Sequence, residues 1–318
     1  MSKATLTNTP TPTREQIDQI LDTIADSFVR QLRSPIMHVP SERGLDCEEV
    51  TFPALDGVPL EGWFIPAEGS KKLIIANHPM GFSRSGIPAH LEPWRSIWSS
   101  SGNAFEVDFI PDYRILHDAG YNVLAYDLRN FGLSGAANDG IASSGIFESR
   151  DVLGSLRYVR DRRDTKDMTL GLFSRCLGCS STFYAMARDR RAFEGVRCLV
   201  GPQPVTMKVI MGRRLALSGI PADRIEDLER RIVLRTSIGF GPRAPQEWAR
   251  GVCVPTFLFQ VHDDVLTDPS DVQTMFDNIP VADKKLLWIR GTTARWDGYL
   301  EFQRRPDPAL EWFEKHMA

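Results

Sequence analysis

The stretch "GLFSRCLGCSS" (171–181) puts a cysteine at the tip of a sharp turn between an apolar run and a helical pattern. A nucleophile on a tight strand-to-helix turn needs small residues two places before and after it. Larger side chains would clash, and the strained turn leaves the nucleophile exposed. Ser174 and Gly178 meet that need around Cys176. Ser174 is itself excluded as nucleophile, because Leu172 and Cys176 flank it, and Ser180 falls inside the following helix. That helix, starting near Leu177, aims the positive end of its dipole at the sulfur and favours a thiolate, with Arg175 alongside. Two other readings stay open. Cys176 is also compatible with a buried structural thiol. It also forms a C-x-x-C with Cys179, but no second cluster of metal-ligand type accompanies that pair.

Two further segments carry residue types that suit acyl chemistry. "NHPMGFSRSG" (77–86) combines a histidine, a bend and a glycine after an early apolar run. Backbone N–H groups there can approach a developing oxyanion without a side chain in the way. The Met80 and Leu177 amides are the candidate oxyanion hole, with His78 and Gly81 beside the substrate. "HDDVLTDPSDVQ" (262–273) follows a late apolar run. Asp264 is the candidate carboxylate, since a turn and a helix start come after it, and Asp263 is the fallback. Aspartate is equally favoured as a cap or turn residue. Arg84, Arg175 and Arg295 are candidates to bind a substrate carboxylate. Trp94, Trp98, Phe105, Met207, Met211 and Phe240 are candidates to wall an apolar pocket.

The elements that must position these residues follow from periodicity. "EEVTFPAL" and "VPLEGWFIPA" flank Asp56-Gly57, a hairpin signal. Apolar runs at 72–78, 121–127, 168–174, 196–202, 255–263 and 284–291 read as strands buried on both faces. Helical patterns at roughly 107–119, 146–162, 177–188, 269–278 and 308–317 alternate with them. The expected fold class is α/β, a doubly wound, mostly parallel sheet. Mixed helical segments at 204–250 interrupt the rhythm and read as a small lid over the strand ends. The expected organisation is a tail and amphipathic helix at 1–45, a core at 46–203 and 251–318, and the lid at 204–250. Residues 1–12 read as disordered. Thr13 and Gln16 form a capping-box pattern ahead of Ile17, Ile20, Leu21, Ile24, Phe28 and Leu32. That helix needs a partner: the main domain, the lid, or a second copy in a homodimer.

Bulk properties narrow the partners. A formal net charge of −3 over 318 residues gives no reason to expect nucleic acid or an anionic membrane surface. The sequence has no apolar run long enough for a transmembrane helix and no apolar segment of signal-peptide type near its start. Five scattered cysteines, an odd number, fit a reducing cytoplasm rather than a disulfide framework.

Five motifs in order, "ANHPMGFSRSG", "AGYNVLAYDLRNFGLSG", "LGLFSRCLGCS", "VPTFLFQVHDDVLT" and "WIRGTTARWDGYLEF", resemble the α/β-hydrolase superfamily over residues 48–316. The branch they are most similar to is that of dienelactone hydrolase-like enzymes with a cysteine nucleophile. The resemblance implies an α/β-hydrolase fold and a small-molecule ester, thioester or lactone substrate, with no cofactor and no metal. It also implies Cys176, then an acid, then a histidine, forming an acyl-enzyme that water cleaves. The histidine is missing: by resemblance its place is Ala294, and none of the six histidines lies between Asp264 and the C-terminal helix. A His→Ala substitution at 294, a native cyclase, acyltransferase or lyase chemistry without histidine, and a catalytically silent ligand-binding protein all fit this sequence. Arg175 and Arg295 are then the cations that would support the thiolate.

Overall fold

Asp56-Gly57 turns the chain between β1 (Glu48–Pro53) and β2 (Pro59–Ile65), with Gly57 at φ +87°. The two strands pair antiparallel from Glu48↔Phe64 to Pro53↔Pro59. A computed structural model of the chain describes residues 12–318, so the expected disordered tail lies outside the described residues apart from Pro12. The remaining apolar runs form β3 (Lys72–Asn77), β4 (Asn122–Tyr126), β5 (Thr169–Ser174), β6 (Val196–Pro202), β7 (Thr256–Val261) and β8 (Lys284–Ile289). They make one eight-stranded sheet in the order β1-β2-β4-β3-β5-β6-β7-β8. From β4 to β8 every pairing is parallel, and β2 alone runs against the rest, antiparallel to both β1 and β4.

Alternation along each strand feeds two cores. Leu73 and Ile75 of β3 enter one, Ile74 and Ala76 the other. The first is covered by α3 (Ser149–Asp161), α4 (Leu177–Arg188) and α7 (Pro269–Asn278). The second is covered by α2 (Ile110–Asp118) and α8 (Asp307–Met317). Among the described residues no helix is long and apolar enough to cross a membrane.

A third, separate apolar cluster joins α1 (Arg14–Asp26) to α5 (Met207–Leu217) and α6 (Ile225–Thr236). Of the partners expected for the N-terminal helix, it packs chiefly on the 204–250 segment, with Met80 of the main domain at the edge of the same cluster. Its apolar stripe of Ile17, Leu21 and Ile24 meets Met207, Met211, Leu228 and Ile232. The capping box at Thr13 and Gln16 forms as expected. The helix stops at Asp26, short of Leu32. Phe28 is still buried in the cluster, whereas Leu32 is 41% exposed. Beside the apolar seam runs an ionic one. Asp18, Asp22 and Asp26, one helical turn apart, face Arg224, Arg231 and Arg235. The Arg235 Nε–Asp26 Oδ1 distance is 2.6 Å and Arg231 Nη2–Asp18 Oδ1 is 2.8 Å.

The turn between β5 and α4 is the most constrained backbone near the strand ends. Cys176 sits at φ 46°, ψ −104°, a region costing about 1–3 kcal/mol for a residue with a Cβ. Gly178 permits it: a Cβ there would lie 2.4 Å from Asn77 Cβ, on the neighbouring strand. Ser174, on the other side, fits under the turn by accepting from Asn77 Nδ2 at 2.8 Å and Thr182 Oγ1 at 3.1 Å.

Two outcomes follow from this packing. Gly178→Ala is expected to destabilise the protein by about 1–3 kcal/mol through overpacking, even though alanine favours a helix over glycine by about 1 kcal/mol. A thermal melt no lower than that of the parent would refute the tight contact. For the ionic seam, hydrogen bonds from Arg231 and Arg235 hold the Asp22 carboxyl below its usual value. Its contribution is therefore full above the unfolded value of about 4 and is lost as pH falls through the lower folded value. Being exposed, the pairs are also screened by salt. Hydrogen exchange in residues 14–26 should quicken at high ionic strength, while exchange in β5 stays unchanged.

Candidate active site

The carboxyl ends of the parallel strands converge on Cys176. Its thiol is 9% exposed and faces a cavity of about 240 Å³. Its own amide donates to Pro202 O at the end of β6, at 2.9 Å, which pins the turn. After β3 the loop bends at Gly81, φ +80°, where no neighbour lies within 4 Å of a Cβ, so the conformation and not the space calls for glycine. Met80, Gly81 and Leu177 line the same cavity as Cys176. Among the described residues, neither the Met80 nor the Leu177 amide donates a hydrogen bond. Two unengaged N–H groups beside a cavity-facing thiol have the arrangement an oxyanion site requires.

Asp264 is buried at the end of β7, and its carboxylate is fully engaged. Oδ1 accepts from the Leu266 amide at 2.9 Å, and Oδ2 accepts from Arg295 Nη1 at 2.9 Å. The side chain that meets Asp264 is Arg295, the residue next to Ala294. Ala294 precedes the short turn Arg295–Gly298, and its amide bonds back to Thr292 Oγ1. That directs the Arg295 side chain inward, where Gln203 O accepts its second Nη. Burial opposes the Arg295 cation, but Tyr299, Cys176 and Asp264 more than offset it, and its proton is held more tightly than usual.

Tyr299 lies at the far end of the same turn and shares the cavity wall with Cys176 and Arg295, whose guanidinium carbon is 5.8 Å from the Tyr299 ring centre. Its ring packs edge-on against Phe82, with centroids 5.3 Å apart. Burial raises its phenol well above the ordinary value, which keeps it protonated. Motif and spacing alone do not single this residue out, although "ARWDGY" contains it. A 3₁₀ turn brings residue 299 back beside residue 295, and nothing in local spacing signals that turn.

Other roles expected from the sequence need correction. His78 does not line the cavity. It is buried and braces two loops, Nδ1 donating to Pro79 O at 2.7 Å and Nε2 accepting from the Leu128 amide at 2.9 Å. Burial lowers its pKa and keeps it neutral. Arg175 is also absent from the cavity wall. It is ion-paired to Asp112 and held over the Phe173 and Phe109 rings, at 4.0 and 4.3 Å from their centroids. Burial pushes Asp112 up to about 6, against the pull of Arg175. Arg84 is spent in the same way on Asp127. The fallback acid, Asp263, pairs with His262 at the surface. Cys179 is fully buried behind Cys176, its thiol pKa raised by burial. Among the described residues no histidine lines the cavity, and no group of three or more His, Cys, Asp or Glu is placed to hold a metal ion.

Most of the remaining wall is apolar, with Arg30, Gln31, Ser144, Ser180 and Arg214 set into it. Trp94 and Trp98 lie on one side, and Met207, Ile210 and Met211 of α5 on another. Ile24 and Phe28 of the N-terminal segment close the top. Phe105 and Phe240 stand outside this wall: Phe105 backs Trp296 at 6.0 Å, and Phe240 belongs to the α1–α5–α6 cluster.

No family model matches the chain. Residues over a span of 153 are 26% identical to an uncharacterized protein of Escherichia coli K12, YfhR, covering 48% of this chain and 45% of that protein. The chain thus spans about half the length of the curated relatives it matches. Among solved structures, an esterase of Pyrococcus furiosus superposes with a TM-score of 0.65 at 20% identity, over 91% of this chain and all (100%) of that one. An α/β hydrolase of Penicillium gives 0.58 at 16% identity, over 86% of this chain and 99% of that one. A dienelactone hydrolase of Anabaena variabilis gives 0.53 at 15%, again over 86% and 99%. Sheet order, strained turn and these superpositions agree: the chain has the α/β-hydrolase fold.

Proposed function

We propose that this chain is an acyl-transfer enzyme that attacks an ester, thioester or lactone carbonyl with Cys176. The observation that carries this reading is the strained cysteine facing an apolar cavity beside two unengaged amides. The sulfur adds to the carbonyl carbon, and the oxyanion forms against the Met80 and Leu177 amides. Collapse breaks the bond to the alcohol or thiol, which leaves with the proton from the thiol. The Tyr299 hydroxyl and the Arg295 cation, in the same cavity wall as the sulfur, stabilise negative charge there. The product of this half-reaction is an acyl-thioester on Cys176.

Release of the acyl group is the step that distinguishes this site from a Cys-His-Asp hydrolase. With Asp264 engaged by Arg295 and no histidine in the wall, no neutral base is poised to activate water. This favours a second reading within the same chemistry: transfer to a nucleophile supplied by the substrate itself or by a second substrate, as in a cyclase or acyltransferase. The apolar wall, including Trp98 and the α5 methionines, then acts as a lid that keeps water from the thioester.

The test is to mix the protein with activated esters and thioesters and follow intact mass and product release together. An adduct of acyl mass is expected on the parent protein and absent from Cys176→Ala; an adduct that persists in Cys176→Ala would overturn the assignment. Adding an amine or alcohol should discharge the adduct faster than water does. Tyr299→Phe is expected to slow adduct formation by about 10- to 100-fold, the worth of a hydrogen bond to a charged group. Ala294→His alone should leave water turnover unchanged, because Arg295 still holds Asp264; a gain in turnover would show that the pair yields readily.

A further inference from the structure

Arg214 stands on α5 with its guanidinium carbon 5.3 Å from the centre of the Trp98 ring. It borders two hollows. One is the apolar cavity that holds Cys176. The other is more open, about 930 Å³, with Thr13, Gln16, Gln19 and Ser218 in its wall. Thr23, Ile24, Ile97, Trp98 and Arg214 belong to both walls, so Arg214 sits in the neck between them.

Apart from Arg30, which is exposed, and Arg243, which donates to backbone carbonyls, the other arginines of this region have found acids. Arg213 pairs with Asp268 at 3.0 Å, Arg295 with Asp264, and Arg224, Arg231 and Arg235 with the aspartates of α1. Arg214 stands beside Trp98 with no carboxylate or hydrogen-bond acceptor engaged among the described residues. Residues 1–11 contain no Asp or Glu to supply one. Burial, with no neighbouring acid to oppose it, weakens its hold on the proton. A half-buried guanidinium without a counter-charge costs stability and is matched best by a planar anion that it can grip with two N–H groups.

We propose that the acyl donor carries an anionic group, of carboxylate type, which binds Arg214 at the neck while its carbonyl lies against Cys176. This rests on the reading of Cys176 as acyl acceptor. The inner cavity takes the apolar stretch between the two ends, and the outer hollow admits the remainder.

The test compares matched donors on the parent protein. 4-Nitrophenyl hexanoate and the 4-nitrophenyl monoester of adipic acid place the anion on the acyl side. S-propyl thiohexanoate and the hexanoyl thioester of mercaptopropionate place it on the leaving side. The anionic member of one pair should acylate Cys176 about 10- to 100-fold faster than its neutral partner, the worth of a charged hydrogen bond, and the pair that responds identifies the side. In Arg214→Met that ratio should collapse to about one, and Arg214→Lys should keep part of it. A ratio equal in parent and Arg214→Met overturns the proposal. Equilibrium binding separates it from the reading of Cys176. Adipic acid mono-N-methylamide should bind Cys176→Ala more tightly than N-methylhexanamide does, and should lose that advantage in the Cys176→Ala/Arg214→Met double variant. If no donor acylates Cys176 but this preference holds, the acyl-enzyme reading fails and the anion site stands. If the preference is the same with and without Arg214 and neither anionic donor outpaces its neutral partner, the anion site fails whatever Cys176 does.

Discussion

The left-handed backbone at Cys176 is the constraint on which the rest of the site depends. A residue with a Cβ adopts it only when its surroundings leave no better choice. Here the choice is removed from several sides. The Cys176 amide is tied to Pro202, Gly178 is wedged against Asn77, and the Gly178 amide donates to both Arg175 O and His78 O. His78 in turn is held by the Leu128 amide. The strain on the thiol is thus sustained by the ends of β3, β4 and β6 together, and the unengaged Met80 and Leu177 amides are a by-product of the same geometry.

Buried charge is used around this turn as scaffolding. Arg84–Asp127, Arg175–Asp112, Arg129–Asp151 and Arg295–Asp264 are all buried pairs. Such pairs add little net stability, because desolvation consumes the Coulombic gain, but losing one partner is costly. Their effect is to give each loop a single arrangement. Arg295–Asp264 differs from the others in touching the cavity. It occupies one oxygen of the acid and brings a cation into the cavity wall that holds Cys176 and Tyr299. The interaction that orders the loop therefore also sets the charge of the cavity.

The N-terminal helix changes what counts as the site. Its own apolar stripe is too short to be stable alone in water, and it is satisfied by α5 and α6 together with the aspartate–arginine seam. Docked there, it completes the cavity roof with Ile24 and Phe28 and forms part of the neck at Arg214. A segment remote in sequence from every motif thereby shapes the cavity that holds Cys176.

Much of this was legible in the linear chain. Two-residue alternation, apolar runs on both faces and helical spacing determined the sheet-and-helix order, and α4 and α7 begin and end where the pattern says. Steric need around a tight turn singled out Cys176 over Ser174 and Ser180, because that rule concerns only neighbours in sequence. Asp264 was legible for a similar reason, lying just beyond a strand. What the tertiary structure alone decided concerns where long side chains end. His78, Arg84 and Arg175 read as ligands of a substrate, yet each is consumed by a partner tens of residues away. Arg295, one place beyond the position expected to matter, is the group that meets the acid. Tyr299 and Arg214 carried no local signal at all. Backbone turns obey short-range sterics, whereas the partner of a buried charge or hydroxyl is set by which distant strand ends the sheet brings together.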